Sequence, residues 1–217
     1  MWTVSTRPAV KAARDGYRHG DLHRALVAVG VELARQGGPD AVVLREATRR
    51  VGVVPNAAYR HFADRQALLH AVCSSAIALV ALAIEAELAA VPAGLDGVAA
   101  ARQRLRAVGT GYISFARREP GLFRTAFSVS TDLRDVSNPD RAGATGLTPF
   151  QLLGAVLDEL VETGALPAER RPNAGFLAWS AVHGLAVLLT EGPLRGLDEE
   201  QVRGLVRRLL DMVEQGL

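Results

Sequence analysis

Apolar residues recur along this chain at three- and four-residue intervals and nowhere alternate over a useful length, so the pattern predicts helices throughout and no strand. A first helix is expected to open at Asp21, a good N-cap, with Leu22, Leu26, Val29 and Leu33 as its buried stripe, and to end at Gly37-Gly38-Pro39. In the next segment Leu44, Ala47, Thr48 and Val51 fall at i, i+3, i+4 and i+7, which leaves Arg45, Arg49 and Arg50 outside. Gly52 stops this helix, and Pro55 suits the first turn of another. That following helix, about two turns long, sets Asn56, Tyr59 and Arg60 on one side and Ala58 and Phe62 on the other, with His61 beside the polar group.

Two short helices at a tight glycine turn have the layout of a helix-turn-helix. The outer groups suit a nucleic acid: an amide pairs with adenine, a guanidinium with guanine or phosphate, and a phenol or imidazole with phosphate oxygens. An ordinary solvated helical hairpin gives the same periodicity, so the turn alone is weak support.

Beyond it, Asp64 is an N-cap for a long fourth helix reaching about Val91, where Pro92 and Gly94 stop it. At 1.5 Å per residue it is about 42 Å long, enough to join a head to a body. A fifth helix is expected from Leu95 to Arg118, broken by Glu119-Pro120-Gly121, and a sixth near Leu122 to Val129. Asp132 to Gly146 reads as a mobile loop. Helices 7, 8 and 9 follow over about 149–163, 173–190 and 198–214. Helix 8 is apolar almost all round and helix 9 carries a wide stripe, so both need cover on more than one side; a second chain or the protein's own core would supply it.

Composition narrows the class. The 217 residues are long enough to bury a core, and 49% apolar with 22% charged residues fits a globular protein. No apolar run is long and uncharged enough to span a bilayer, no leader pattern precedes the first helix, and Cys73 has no partner for a disulfide, so a cytoplasmic protein with no membrane partner is expected. Net charge is only +2, but its distribution is uneven. Residues 1–65 hold eleven Arg and Lys against six Asp and Glu, a surplus of five, and the remainder holds fourteen against seventeen, a deficit of three. A basic N-terminal part on a mildly acidic body fits one end meeting a polyanion.

The string AYRHFADRQALL at 58–69 resembles the signature of the tetracycline-repressor (TetR) family of bacterial transcription regulators. GYISFARREPGLFRTAF at 111–127 and AWSAVHGLAVLL at 178–189 resemble the C-terminal domain of the subgroup named for Trp, His and Gly, here Trp179, His183 and Gly184. The resemblance covers the chain from Tyr17 onward. It implies an all-α fold of about nine helices: a flexible basic arm (1–16), a three-helix helix-turn-helix DNA-binding domain (17–63), and a helical ligand-binding and dimerisation domain (64–217) reached through a long helix. It also implies a homodimer that binds a palindromic double-stranded DNA operator as a repressor and is released by a small-molecule effector. Val43 and Val54 depart from the pattern, standing where the family usually has Ser or Thr as helix caps. Losing such a cap costs on the order of 1 kcal/mol. Hence the second reading, a small-molecule-binding helical protein whose degenerate helix-turn-helix no longer reads DNA.

On this resemblance Arg45, Asn56 and Arg60 are expected at base edges, with Thr48 a weaker candidate, and Tyr59, His61 and Arg65 at phosphates. An apolar effector is expected among Tyr112, Phe115, Phe123, Phe127, Phe176, Trp179 and His183, although aromatics at helical spacing are more often plain core. The dimer interface is expected on Val182, Leu185 and Leu189 of helix 8 and Val202, Leu205, Val206, Leu209 and Val213 of helix 9. For an enzyme the chain is poor. His70 and Cys73 share a helix face without an oxyanion site or orienting partner, and no histidines stand at metal-ligand spacing, so no cofactor and no metal are expected.

Overall fold

A computed structural model describes residues 19–129 and 137–217, and every regular element in them is helical. Nine α-helices run α1 His19–Gly37, α2 Leu44–Val51, α3 Pro55–Ala58, α4 Arg65–Ala89, α5 Gly97–Arg118, α6 Pro120–Ala126, α7 Pro149–Glu162, α8 Ala174–Thr190 and α9 Glu199–Gly216 among the described residues. Short 3-10 turns at Pro39–Ala41, Pro139–Arg141, Ala168–Arg170 and Pro193–Gly196 connect some of them. The basic arm expected over 1–16 lies outside the described residues.

Capping chemistry fixes most boundaries. Asp64 accepts from the Ala67 amide and Asp96 from the Ala99 amide, while Thr148/Gln151 and Asp198/Gln201 form reciprocal capping boxes. The long helix ends at Ala89 rather than Val91 and is about 37 Å long. Pro120 does not separate α5 from α6 by a loop; it opens α6 directly, its missing N–H being tolerated in a first turn.

The axis of the fold is α4. Leu68, Val72, Cys73, Ala76, Val80 and Ile84 are buried along it against α1, α5, α6 and α7. At the crossing with α5 the backbones come so close that a Cβ on Gly111 would lie 2.7 Å from Ile84 Cα. One expectation is corrected here. By length and composition α4 is apolar enough to cross a membrane, and half of its most apolar window is buried inside the protein. A helix covered on several sides by its own domain needs the same apolar residues as one covered by lipid.

The head is docked on this axis. Arg65, in the first turn of α4, donates from Nε to the Val42 carbonyl (2.8 Å) and from a terminal nitrogen to the Pro39 carbonyl (2.7 Å), fixing the turn between α1 and α2. Arg35 of α1 reaches Glu119 at the α5–α6 junction at 3.0 Å. Farther along α4, the Glu85 carboxylate accepts from the Ala144 and Thr145 amides, both at 2.9 Å, and from the Thr145 hydroxyl. The expected mobile loop is thus tied down over its described half, and its first part lies outside the described residues.

Candidate nucleic-acid interface and internal cavity

Helix α2 presents Leu44, Ala47 and Thr48 to the core and ends on Gly52, whose φ of 80° is left-handed as the turn requires. Val43 and Val54 occupy the cap positions of α2 and α3 and make no side-chain cap bond. The α-helical part of α3 is four residues, half the two turns expected; Tyr59 to His61 continue as a turn, with the His61 and Phe62 amides both donating to the Ala58 carbonyl. Ala58 and Phe62 are buried beneath it, whereas Asn56, Tyr59 and Arg60 point outward, Tyr59 being 57% exposed.

Charge is distributed selectively over this surface. Arg49 and Arg50 both close on Glu46, holding its carboxyl down at about 2, and Arg50 also donates to Gln36. Arg45 and Arg60 are exposed with no ion pair among the described residues. Two sequence expectations change. Thr48 is 1% exposed and its hydroxyl donates back to the Arg45 carbonyl, because it sits on the buried stripe of α2; it does not reach a base edge. The Arg65 guanidinium is engaged by two carbonyls of its own chain instead of standing clear for phosphate. His61 is half-buried, its ring edge-on to His23 at 6.3 Å.

Inside the body, α4, α5, α7, α8 and α9 enclose a cavity of about 110 Å³. Ile77, Ile84, Leu105, Val108, Leu153 and Leu210 give it apolar walls, with Tyr112, Phe127, Phe150 and Trp179 as aromatic ones. Arg106, Arg141 and Thr148 are its polar contributors. Tyr112 stands at the centre of a bonded row. The Trp179 indole donates to its hydroxyl at 3.3 Å, and the hydroxyl in turn lies 2.8 Å from His183 Nδ1. The indole is a donor only, so the Tyr112 oxygen accepts from it, and the bond between the hydroxyl and Nδ1 runs in the direction that the His183 tautomer sets. Burial pushes Tyr112 up and His183 down, so both are neutral near pH 7.

The ligand expectation is thereby split. Tyr112, Phe127 and Trp179 line the cavity. Phe123, with Phe127 and His183, instead lines a surface groove beside Pro39 and Arg124; Phe115 is packed in the core, and Phe176 is exposed against Phe150 at 5.1 Å. Arg141, Thr148 and Phe150 were not anticipated. A loop-like stretch carries no periodicity, so nothing in it signals that Arg141 turns inward to 6% exposure. The enzyme-like pair also dissolves: Cys73 donates to the Thr125 carbonyl at 2.9 Å, burial raises its pKa, and His70 is exposed.

Residues 105–213, half of the chain, match the family described as tetracyclin repressor-like, C-terminal domain, and residues 26–72 match that described as bacterial regulatory proteins, tetR family. The chain belongs to the TetR family. It is a DNA-binding transcriptional regulator with the fold of that family. Among solved structures it is similar to a protein of unknown function from Rhodococcus sp. RHA1, at 25% identity and TM-score 0.71 over 94% of this chain and 99% of that one. A TetR-family transcriptional regulator from Pectobacterium atrosepticum superposes at 18% identity and TM-score 0.62, covering 94% and 96% of the two chains. The TetR-family regulator PfmR from Thermus thermophilus does so at 21% and 0.54, covering 88% and 98%. No curated protein matches the chain.

In this TetR-family chain the residues expected at the dimer interface are mostly turned inward. Val182, Leu185 and Leu189 of α8 and Val202 and Val213 of α9 are buried within the single chain, Val182 and Val213 as cavity wall. Leu205, Val206 and Leu209 are half-buried. The exposed apolar face of α8 is the opposite one, Leu177 (62% exposed) and Leu188 with Ser180 and Gly184 between them, and Met212 is exposed on α9. On a helix apolar all round, periodicity does not distinguish the two faces.

Proposed function

We propose that this TetR-family regulator acts as a homodimeric repressor: α3 reads a palindromic operator, and a small apolar molecule entering the cavity releases it. The observation that carries the reading is the outward grouping of Asn56, Tyr59 and Arg60 over a buried Ala58 and Phe62, with Arg45 and Arg60 not paired to any acid among the described residues. An amide and a guanidinium on a short helix are the side chains that discriminate bases in a major groove. In this reading residues 17–63 are the reader and 64–217 the ligand-binding and dimerising body, with Trp179, His183 and Gly184 as its subgroup mark. Dimerisation uses the outer face of α8 (Leu177, Gly184, Leu188) with Leu205, Leu209 and Met212 of α9. A Cβ on Gly184 would meet nothing within 4 Å, leaving room for a partner helix.

The effector acts mechanically. Cavity residues Ile77 and Ile84 belong to α4, and the same helix holds the turn before α2 through Arg65. A ligand that shifts α4 therefore shifts the reading helices. Selection of bound duplexes from fragmented genomic DNA tests the proposal: a palindrome should be enriched. No enrichment even at low salt would overturn it in favour of a ligand-binding body whose uncapped head, with Val43 and Val54, no longer reads sequence.

A further inference from the structure

Resting on the proposed operator contact by α3, we propose that Val54 and Pro55 are thymine-specific residues, their exposed hydrocarbon covering the C5-methyl group of a base next to the one that Asn56 bonds. The turn after Gly52 carries two valines with opposite surroundings. Val53 packs against the core and its amide donates to the Thr48 carbonyl at 3.0 Å, whereas Val54 is 68% exposed. Pro55 and Asn56, which follow, are exposed as well. Among the described residues up to Phe62, the large apolar side chains left exposed are Val43, Val54 and Tyr59, all on or next to α2 and α3. Exposed apolar residues scattered singly carry no message, but here they gather on the element that meets DNA.

A valine at this position is unfavourable in the free protein on two counts. It offers no oxygen to the unbonded amides that open α3, and it holds a branched side chain in water. Serine would avoid both. A duplex removes the second penalty, because thymine alone of the four bases displays a methyl group in the major groove, where an apolar side chain covers it. The leading residues of a recognition helix are the ones that approach base edges, and here they are hydrocarbon followed by an amide. The surroundings match a polyanion, since Arg45 and Arg60 are exposed with no ion pair among the described residues. An amide pairs bidentately with adenine, so Asn56 and the Val54–Pro55 edge together specify adjoining A·T pairs.

The test uses the full chain and the palindrome it selects from a random-sequence duplex library, resynthesised with deoxyuridine replacing one thymidine at a time in both half-sites. Uracil pairs as thymine does and lacks only the methyl group. At one thymine, adjoining an adenine, affinity in fluorescence titration should fall about fourfold per half-site, the worth of one buried methyl, and so about fifteenfold for the palindrome. Val54→Ser and Pro55→Ser should each lower that thymine-to-uracil ratio, and the two together should bring it to about one. Serine at 54 supplies the missing cap, so the head keeps its fold, which melting followed by circular dichroism verifies. Equal binding of thymine and uracil duplexes by the unaltered protein at every position would overturn the methyl contact and leave α3 as a reader through hydrogen bonds. A ratio unchanged in both single variants would overturn it as well, by setting the methyl against other residues. Failure to select any palindrome would overturn both the contact and the operator reading on which it rests.

Discussion

Arg65→Met separates two roles for one arginine. The sequence places this side chain at a DNA phosphate, whereas the structure spends it on the Pro39 and Val42 carbonyls, which hold the turn leading into α2. Hydrogen bonds from a charged donor contribute about 1.5–3 kcal/mol each when well shielded. The Arg65 side chain is 42% exposed, so water replaces part of that on loss, and about 2 kcal/mol for the pair is the expected cost. For a chain of this length that corresponds to a fall in melting temperature of about 4–8 °C, read by calorimetry at fixed protein concentration. Operator affinity should fall as well, because α2 and α3 lose their seat, but the salt dependence should not change. A lost phosphate contact would instead flatten the slope of log K against log salt by about 0.9 per protomer. A flattened slope with unchanged melting would refute the staple and restore the phosphate role.

Asn56→Ala should weaken the selected operator by about 1–3 kcal/mol per half-site in fluorescence titrations and leave random duplex unaffected, since only a base contact depends on sequence; equal losses on both would remove Asn56 from the reading face. Gly184→Glu should keep the helical fold, because the added Cβ meets nothing, yet sediment as a monomer; a dimer at micromolar concentration would put the interface elsewhere. Burial raises the Glu85 pKa, but bonds from Thr145 and Ala144 outweigh it and leave the carboxyl below its usual 4.5. A carboxylate depressed in the folded state stabilises above its unfolded pKa and loses that contribution as pH falls through the folded value. The stability gap between the unaltered protein and Glu85→Gln should therefore be constant above about pH 5.5 and close below about pH 4.5 in urea melts, and a gap that widened on acidification would contradict the clamp.

Two kinds of residue escaped the sequence for separate reasons. Glu85 is met by backbone amides of a turn without periodicity, and Arg141 of the same stretch lines the cavity, neither of which any spacing encodes. Thr48 and Arg65 carry groups that suit DNA, yet each is satisfied by a carbonyl of its own chain. A polar side chain advertises what it is able to bond; only its neighbours decide what it does bond.

The order of helices, the glycine turn at Gly52, the caps at Asp64 and Asp198 and the outward grouping of Asn56, Tyr59 and Arg60 were determined by the sequence alone, because caps, turns and one-sided stripes act over a few residues along the chain. Which face of α8 meets the core, where the cavity opens, and which arginines remain available were decided by tertiary structure. Those choices depend on packing between segments far apart in sequence. A helix such as α8, apolar on every side, leaves its orientation to its neighbours, and a buried cation such as Arg141 is placed by the walls that close around it.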